Sequence, residues 1–217
     1  MEFTIFNLLA GLSGLAWTVC YIQIIWKGFK DKVCCMPLYA LALNFVWEFI
    51  FGFIWDPTGW ADIWQTWINS IWCVFDVLIL ITHFMYGEVR GVPKNLFRAY
   101  SAFVIAFTFG IFGALYYAAD GEAGIKCLHE ITSVGVNVPM SALFITSFLW
   151  LRGTIGQSMG IAWSKFLGTG VITVGFTFIP GAADHIGTHY PVILAAGWTC
   201  FALDLFYIYD LRKAIRT

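Results

Sequence analysis

Charged residues are scarce in this chain, and their scarcity excludes an ordinary soluble domain. Asp, Glu, Lys and Arg make up 12% of the 217 residues, whereas a soluble domain carries roughly 25%. Apolar residues take their place at 60% of the chain, and the mean hydropathy is +0.78. Several apolar runs approach the ~20 residues that a helix needs to cross a bilayer. The composition therefore predicts an integral membrane protein.

An excess of positive charge is also missing. The formal net charge is −1, so we expect no nucleic-acid partner. The cysteines lack the CxxC or Cys/His spacing of a metal site, and we expect them to be small buried apolar side chains. The start, Met1-Glu2-Phe3, lacks the basic region of a cleavable signal peptide. The first apolar run is therefore expected to remain as an anchor.

Seven apolar runs predict seven membrane-spanning helices. Proline, glycine and charged residues punctuate the short connectors between them, and no connector is long enough to link separate soluble domains. We predict an all-α bundle of seven transmembrane helices, a single integral-membrane domain over residues 1–217. The predicted spans are residues 3–26, 33–54, 62–86, 99–119, 128–151, 161–180 and 191–211.

The basic residues predict how this bundle is oriented. With seven spans, eleven of the twelve lysines and arginines fall on one side of the membrane, and Lys126 is the exception. Basic residues are enriched on the cytosolic side of membrane proteins. We therefore expect the N-terminus outside or in the lumen and the C-terminus in the cytosol.

A weak internal repeat is a further hypothesis. Lys27-Gly28 after the first span resembles Arg152-Gly153 after the fifth, and Asp76 in the third span is placed like Asp204 in the seventh. Two parallel three-helix units joined by the fourth span, a 3+1+3 arrangement, would produce this pattern. Apolar sequences also match one another by composition alone, so both interpretations stay open.

Four acidic residues lie within the predicted spans: Glu48, Asp76, Glu130 and Asp204. A charged side chain at the centre of a bilayer costs at least ~2.5–3.5 kcal/mol. At ~1.5 Å per residue, Glu48 lies roughly 20 Å from the cytosolic end of its helix, and Asp76 and Asp204 lie roughly 20 Å from the outer ends of theirs. Glu130 lies at the outer mouth of the predicted bundle, near the start of the span 128–151. We expect the three deep acids to face the interior of the bundle.

Each deep acid has a polar or aromatic neighbour one helical turn away. The pairs are Asn44 with Glu48, Trp72 with Asp76, and Tyr207 with Asp204. Two interpretations are open. The acids could hydrogen-bond to one another and to these neighbours and so hold helices together, or a neutral carboxyl group could serve as a proton donor.

The proton-donor interpretation depends on the charge of the deep acids. Lys165 is predicted near the cytosolic face and His83 late in the third span. No basic side chain is therefore expected at the depth of the acids. Because removal from water favours the neutral form of a carboxyl group, we expect at least one deep acid to be protonated at neutral pH.

Aromatic and histidine clusters at the outer side are weaker candidates. The tryptophans there fit an interfacial belt or, alternatively, a wall of aromatic faces around a cation. Asp184-His185 with His189 has a spacing seen in metal ligands but lacks a third clear ligand, so we expect no metal site. His129-Glu130 is interpreted as an interfacial pair, with a point of proton uptake as the alternative. The tryptophans are Trp55, Trp60, Trp64 and Trp67.

Three motifs resemble those of a known family. Gly28-Phe29-Lys30-Asp31-Lys32, then Met36-Pro37, Ala40-Leu41, Asn44 and Trp47-Glu48, resembles the signature of small integral-membrane terpene cyclases. These are the fungal meroterpenoid and indole-diterpene cyclases and their bacterial counterparts. Ser164-Lys165-Phe166-Leu167-Gly168 looks like the family's Ser-Arg-Phe-Leu-Gly, with lysine for arginine. Asp204-Leu205-Phe206-Tyr207 is similar to its Asp-x-x-Tyr, whereas Cys34-Cys35 departs from its Tyr-Gly.

The resemblance implies a cyclisation of a prenyl chain that is started by protonation, with Glu48 and Asp204 as the essential acids. We expect Glu48, positioned by Asn44, to protonate a terminal epoxide or alkene of a prenylated, meroterpenoid-type substrate. Asp204 would assist as a partner acid or as a relay with Tyr207, and Asp76 or water would take the final proton. The predicted catalytic residues are Glu48, Asp204 and Asp76, and the predicted substrate-binding residues are Asn44, Trp47, Trp64, Trp72 and Tyr207.

The absence of certain motifs bounds the chemistry. The chain has no DDxxD, NSE-type or DxDD motif, so we expect neither ionisation of a diphosphate nor a metal or other cofactor. We expect the endoplasmic reticulum membrane in a fungus and the plasma membrane in a bacterium. A seven-helix proton-coupled transporter of the SWEET-like 3+1+3 kind is the alternative function. A retinal-type receptor needs a Schiff-base lysine in the last span, and residues 191–211 contain none.

Overall fold

The structure, a computed structural model, describes residues 2–87, 91–180 and 189–216, and these residues form helices and short connectors without a strand. Two helices end in a π-helical turn: Ile50–Ile54 extends α2, and Ser147–Arg152 extends α6. The helices are α1 (Glu2–Asp31), α2 (Leu38–Phe49), α3 (Trp60–Tyr86), α4 (Lys94–Ala118), α5 (Gly121–Gly135), α6 (Asn137–Thr146), α7 (Met159–Phe178) and α8 (Tyr190–Arg216).

The membrane-spanning segments follow the predicted order. Within the described residues, six helical segments are long and apolar enough to cross a membrane, and Leu38–Ile54 is a shorter apolar segment. α5 and α6 act together as one of the six, Gly121–Trp150. The all-α, multi-pass architecture is therefore confirmed. The orientation, the two-unit repeat and the single domain stay predictions.

The second span starts later than the hydropathy predicted. Its helix begins at Leu38 because Pro37 precedes it with extended backbone angles, φ −60° and ψ 141°, and proline lacks the N–H that a preceding helical turn would need. The residues before Pro37 run as a connector instead. Cys34, Cys35 and Met36 are nevertheless buried beneath the bundle.

Small residues bring α7 close to both of its main neighbours, α1 and α8. A Cβ atom at Gly168 would lie 2.7 Å from the Trp17 ring of α1, and one at Gly197 of α8 would lie 2.5 Å from Thr173 Oγ1. Ser13 Oγ also donates a hydrogen bond of 2.5 Å to the Gly168 carbonyl. Such close approach is the usual way in which helices associate inside a bilayer. It places α7 between the first and last helices.

The main core contains unusual polar groups. Apolar side chains of α1, α2, α3, α6, α7 and α8 pack into one cluster. Among them three acidic side chains and one lysine are almost fully buried: Glu48, Lys165 and Asp204 are 1% exposed each, and Asp76 is 0% exposed. A buried charge is costly unless it is paired and hydrogen-bonded, so these four groups define the candidate site.

Candidate active site

The carboxyl groups of Glu48 and Asp76, called the acid pair below, are joined by one amide. Asn44 Nδ2 donates to Glu48 Oε1 at 2.9 Å and to Asp76 Oδ2 at 2.8 Å. Asn44 and Glu48 are one turn apart on α2, and Asp76 comes from α3. Asn44 Nδ2 also lies 2.5 Å from the Tyr21 hydroxyl oxygen, so the two hydrogens of this amide nitrogen are shared among three acceptors. The predicted pairing of Asn44 with Glu48 is confirmed, and Asp76 joins it.

A tyrosine of α1 completes the cluster. The Tyr21 hydroxyl donates to Glu48 Oε1, and its ring stacks on Trp72 with centroids 5.9 Å apart. Trp72 Nε1 in turn donates to Thr18 Oγ1 at 3.1 Å. Sequence reasoning found Trp72 but missed Tyr21. Nothing in the first span marks this tyrosine among its apolar neighbours, because its partners come from other helices.

Among residues 2–87, 91–180 and 189–216, no lysine or arginine forms an ion pair with Glu48 or Asp76. Glu48 Oε2 and Asp76 Oδ1 are buried and have no hydrogen-bond partner in the same part of the chain. Two carboxylates that share a dry site repel each other strongly. We therefore expect the pair to hold at least one proton.

Asp204 lies in a different environment. Lys165 Nζ donates to Asp204 Oδ1 at 2.6 Å and to Ser141 Oγ at 2.5 Å. The expectation that no basic side chain reaches the depth of the acids was therefore wrong. Lys165 lies six residues inside α7, ~9 Å along the helix axis at ~1.5 Å per residue, and its flexible four-carbon stem carries the ammonium group further.

The predicted relay between Asp204 and Tyr207 was also wrong. The Tyr207 hydroxyl donates to Gln157 Oε1, in the connector before α7. Its ring packs edge-on against Phe144 and Phe148, with centroids 6.0 and 6.2 Å away. The phenol ring extends the hydroxyl far from its own backbone, so a partner outside α8 takes the hydrogen bond. Tyr207 is a buried core residue of this bundle.

A cavity adjoins a hydrogen-bond partner of the acid pair and the lysine of the Lys165–Asp204 ion pair, although Glu48, Asp76 and Asp204 do not themselves line it. Tyr21, which is bonded to Glu48, and Lys165, which is bonded to Asp204, both line it. Its other walls are apolar and include Trp17, Met36, Met140 and Phe144. Aromatic faces stabilise a cation, and methionine adapts to irregular shapes. Such walls suit a flexible hydrocarbon chain that acquires positive charge.

The remaining predicted substrate-binding tryptophans lie elsewhere. Trp47 is buried in a second aromatic cluster, where it stacks on His129 at 5.0 Å and donates to Thr132 Oγ1 at 2.8 Å. Trp64 is 55% exposed on the surface of the bundle, which fits the interfacial belt. Neither lines the cavity described above. Adjacent numbering placed Trp47 next to Glu48, but consecutive helical residues point about 100° apart.

The structure describes one of the two histidine candidates fully and the other only in part. His129 is enclosed by the rings of Trp47, Phe51 and Trp55 at 4.8–5.0 Å, which makes it part of the packing at that end of the bundle. Asp184 and His185 lie outside the described residues. Within the described ranges, no group of three metal-binding side chains occurs.

Comparison with known proteins gives consistent results. A sequence model of the Pyr4-like transmembrane terpene cyclases matches residues 2–215. The terpene cyclase macJ of Penicillium terrestre is 29% identical over 73% of this chain and 61% of its own length. The terpene cyclase pyr4 of Aspergillus fumigatus is 23% identical over 94% of this chain and 84% of its own length. The Pyr4-family terpene cyclase mfmH of Annulohypoxylon moriforme is 37% identical over 80% of this chain and 74% of its own length.

No solved structure matches the chain. The relatives are named as cyclases, and the transporter alternative finds no support among them. The three motifs near Glu48, Lys165 and Asp204 had indicated the same family from the sequence. With a match over nearly the whole length, the chain belongs to the Pyr4-like transmembrane terpene cyclases.

Proposed function

We propose that this protein cyclises a prenylated substrate inside the membrane by protonating its terminal epoxide or alkene. The acid pair is the observation that carries this proposal. It consists of two buried carboxyl groups bridged by one amide, with no lysine or arginine of the described residues paired to them. A neutral carboxyl group held in such a place can donate its proton to an apolar substrate that binds beside it.

The first step transfers one proton from the acid pair to the substrate. With an epoxide, the proton goes to the oxygen as the C–O bond breaks; with an alkene, it goes to the less substituted CH carbon of the terminal double bond. The tertiary cation that forms is attacked by the next double bond, and each attack closes a ring. A C–H proton is lost at the end, so the product is an isomer of the substrate.

The proton balance closes within the acid pair. After donation, the member that gave up its proton is a carboxylate. That carboxylate can accept the proton released at the end, either directly or through a water, and this restores the starting state. Asn44 and the Tyr21 hydroxyl hold Glu48 Oε1 and Asp76 Oδ2. The opposite oxygens, Glu48 Oε2 and Asp76 Oδ1, remain for proton transfer.

The cavity walls control the fate of the cation. The faces of Trp17 and Phe144 provide electron-rich surfaces beside the chain. The apolar packing around the cavity keeps out the water that would otherwise trap the cation as an alcohol. A prenylated substrate is itself lipid-soluble, so we expect it to enter sideways from the bilayer. The host membrane would be the endoplasmic reticulum in a fungus or the plasma membrane in a bacterium.

The test is turnover by the purified protein in detergent. Prenylated arenes with and without a terminal epoxide are incubated in D₂O, and products are analysed by mass spectrometry after transfer to H₂O. Protonation of an alkene leaves one deuterium on carbon, whereas opening of an epoxide leaves none from this step. An isomeric cyclic product that is lost in both Glu48→Gln and Asp76→Asn supports the proposal. Full activity in either variant, or no cyclisation of any prenylated arene by the wild type, contradicts it.

A further inference from the structure

The protonation step proposed above does not use the Lys165–Asp204 ion pair, although Lys165 lines the same cavity. Lys165 is 1% exposed and lines the cavity wall beside Phe144, whose ring centroid lies 5.8 Å from Nζ. A lysine in the middle of an apolar bundle is costly even when paired. Helix packing alone does not require it, because replacing a buried ion pair with apolar residues of similar volume often leaves stability unchanged or raises it.

The ammonium group retains hydrogen-bonding capacity towards the cavity. Lysine has three N–H donors, and within the described residues Asp204 and Ser141 accept two hydrogen bonds from Nζ. Asp204 Oδ2, attached to the same carboxyl carbon as the bonded oxygen, is buried without a hydrogen-bond partner in the same part of the chain. One donor and one acceptor are therefore left side by side in an otherwise apolar place.

We propose that Lys165 and Asp204 bind a phenolic or enolic hydroxyl on the head group of the substrate. The hydroxyl oxygen accepts from Lys165 Nζ, and its hydrogen is donated to Asp204 Oδ2. The ion pair has no net charge, so a neutral hydroxyl fits it better than a carboxylate or a phosphate. A carbonyl uses the donor alone, and a plain hydrocarbon satisfies neither group.

This assignment rests on the proposed function and gives the substrate a direction. The cavity reaches Tyr21 beside the acid pair and Lys165 beside Asp204. With the hydroxyl of the head group at Lys165, the far end of the prenyl chain lies towards Glu48. A chain that folds back between these two points has the arrangement that ring closure needs. Lys165 is then a specificity-determining residue.

The test compares two matched substrates. One is a phenol carrying a 15-carbon prenyl chain with a terminal epoxide, and the other is the same molecule without the hydroxyl group. We expect wild-type kcat/KM to favour the phenol by about 10- to 100-fold, the value of hydrogen bonds to charged groups. Lys165→Met should lose this preference, so that its kcat/KM for the phenol falls to that for the hydroxyl-free arene. Lys213→Met, which removes an exposed lysine of α8, is the matched control and should keep the preference.

A second variant covers the case in which Lys165→Met does not fold. Lys165→Met/Asp204→Leu removes both charges, so no buried carboxylate is left unpaired. Its binding of the two compounds with saturated prenyl chains, followed by tryptophan fluorescence, does not depend on catalysis. Equal affinity for phenol and arene supports the inference. A folded variant that keeps the wild-type preference overturns it, as does a wild type that cyclises both substrates equally well. Failure of the wild type to cyclise either compound would instead count against the proposed function.

Discussion

The bundle contains two buried sites with carboxyl groups. Among the described residues, a cation is paired with a carboxyl group only at the second of them, Lys165–Asp204. At the acid pair, Glu48 and Asp76 share the amide of Asn44. At the other centre, Asp204 lies 2.6 Å from Lys165 Nζ. All three acids are at most 1% exposed, so burial alone does not distinguish them. The cation does. Lys165 stabilises the carboxylate of Asp204, whereas two acids that share a dry site without a paired cation are expected to retain a proton.

This difference in charge suits the two centres to different roles. A carboxyl that retains its proton can donate it, whereas a carboxylate fixed by lysine can accept a hydrogen bond and hold a polar group. Sets of acidic residues in other enzymes are assigned to different roles by their surroundings in the same way. Here Tyr21, which is bonded to Glu48, and Lys165, which is bonded to Asp204, line one cavity, so a single substrate there would lie beside both centres.

The strongest test of the comparison is removal of the proton donor. Glu48→Gln keeps the shape of the side chain but cannot donate an acidic proton, and we expect turnover to fall by about 10²- to 10⁴-fold, the usual contribution of general acid catalysis. The measurement is product formation per enzyme in detergent. Glu122→Gln, which changes an exposed carboxyl group, is the control and should retain activity. Comparable loss in the control would remove the distinction between buried and exposed acids.

The second test separates the two centres by stability. Lys165→Met leaves Asp204 buried without its cation and should lower the free energy of unfolding by about 3–5 kcal/mol. Lys165→Met/Asp204→Leu should recover most of that loss, and Asp76→Asn should change stability little because it replaces a carboxyl group with an amide of the same shape. Thermal unfolding in detergent measures all three. If Asp76→Asn proves as destabilising as Lys165→Met, the two centres do not differ in charge as described.

A smaller effect is expected from removing the hydrogen bond that Tyr21 donates to Glu48. Tyr21→Phe removes the hydroxyl that donates to Glu48 and keeps the ring that stacks on Trp72. Loss of one hydrogen bond should lower kcat by about 2- to 12-fold, with KM almost unchanged because the cavity keeps its shape. Steady-state kinetics give both values. Tyr209→Phe, at a position 67% exposed on α8, serves as the control; an equal effect there would mean that the Tyr21 hydroxyl has no special role.

The smallest expected effects distinguish the tryptophans. Trp64→Ala changes an exposed side chain, and we expect a stability change within about 0.5 kcal/mol and near-normal turnover. Trp72→Ala removes the ring packed on Tyr21 and should reduce turnover by up to about tenfold, the value of one aromatic pair. Parallel assays of the two variants check this. A larger loss in Trp64→Ala would return that residue to the substrate-binding set.

Much of the site was visible in the sequence because its signals are local. Asn44 and Glu48 are four residues apart, and helical geometry puts them on one face whatever surrounds them. Trp72 and Asp76 follow the same rule. The prediction failed for Tyr207 and Lys165, whose partners, Gln157 and Asp204, lie on other segments of the chain. Tyr21 was missed for the same reason.

The amino-acid sequence by itself determined the all-α membrane fold, the family and the burial of three acids. Each follows from hydropathy, spacing or motif, which are properties of short stretches of chain. Only the tertiary structure decided which acid has a cation beside it. That depends on how close α7 lies to α8 and on how far one lysine stem reaches between them, and neither distance is encoded in a local pattern.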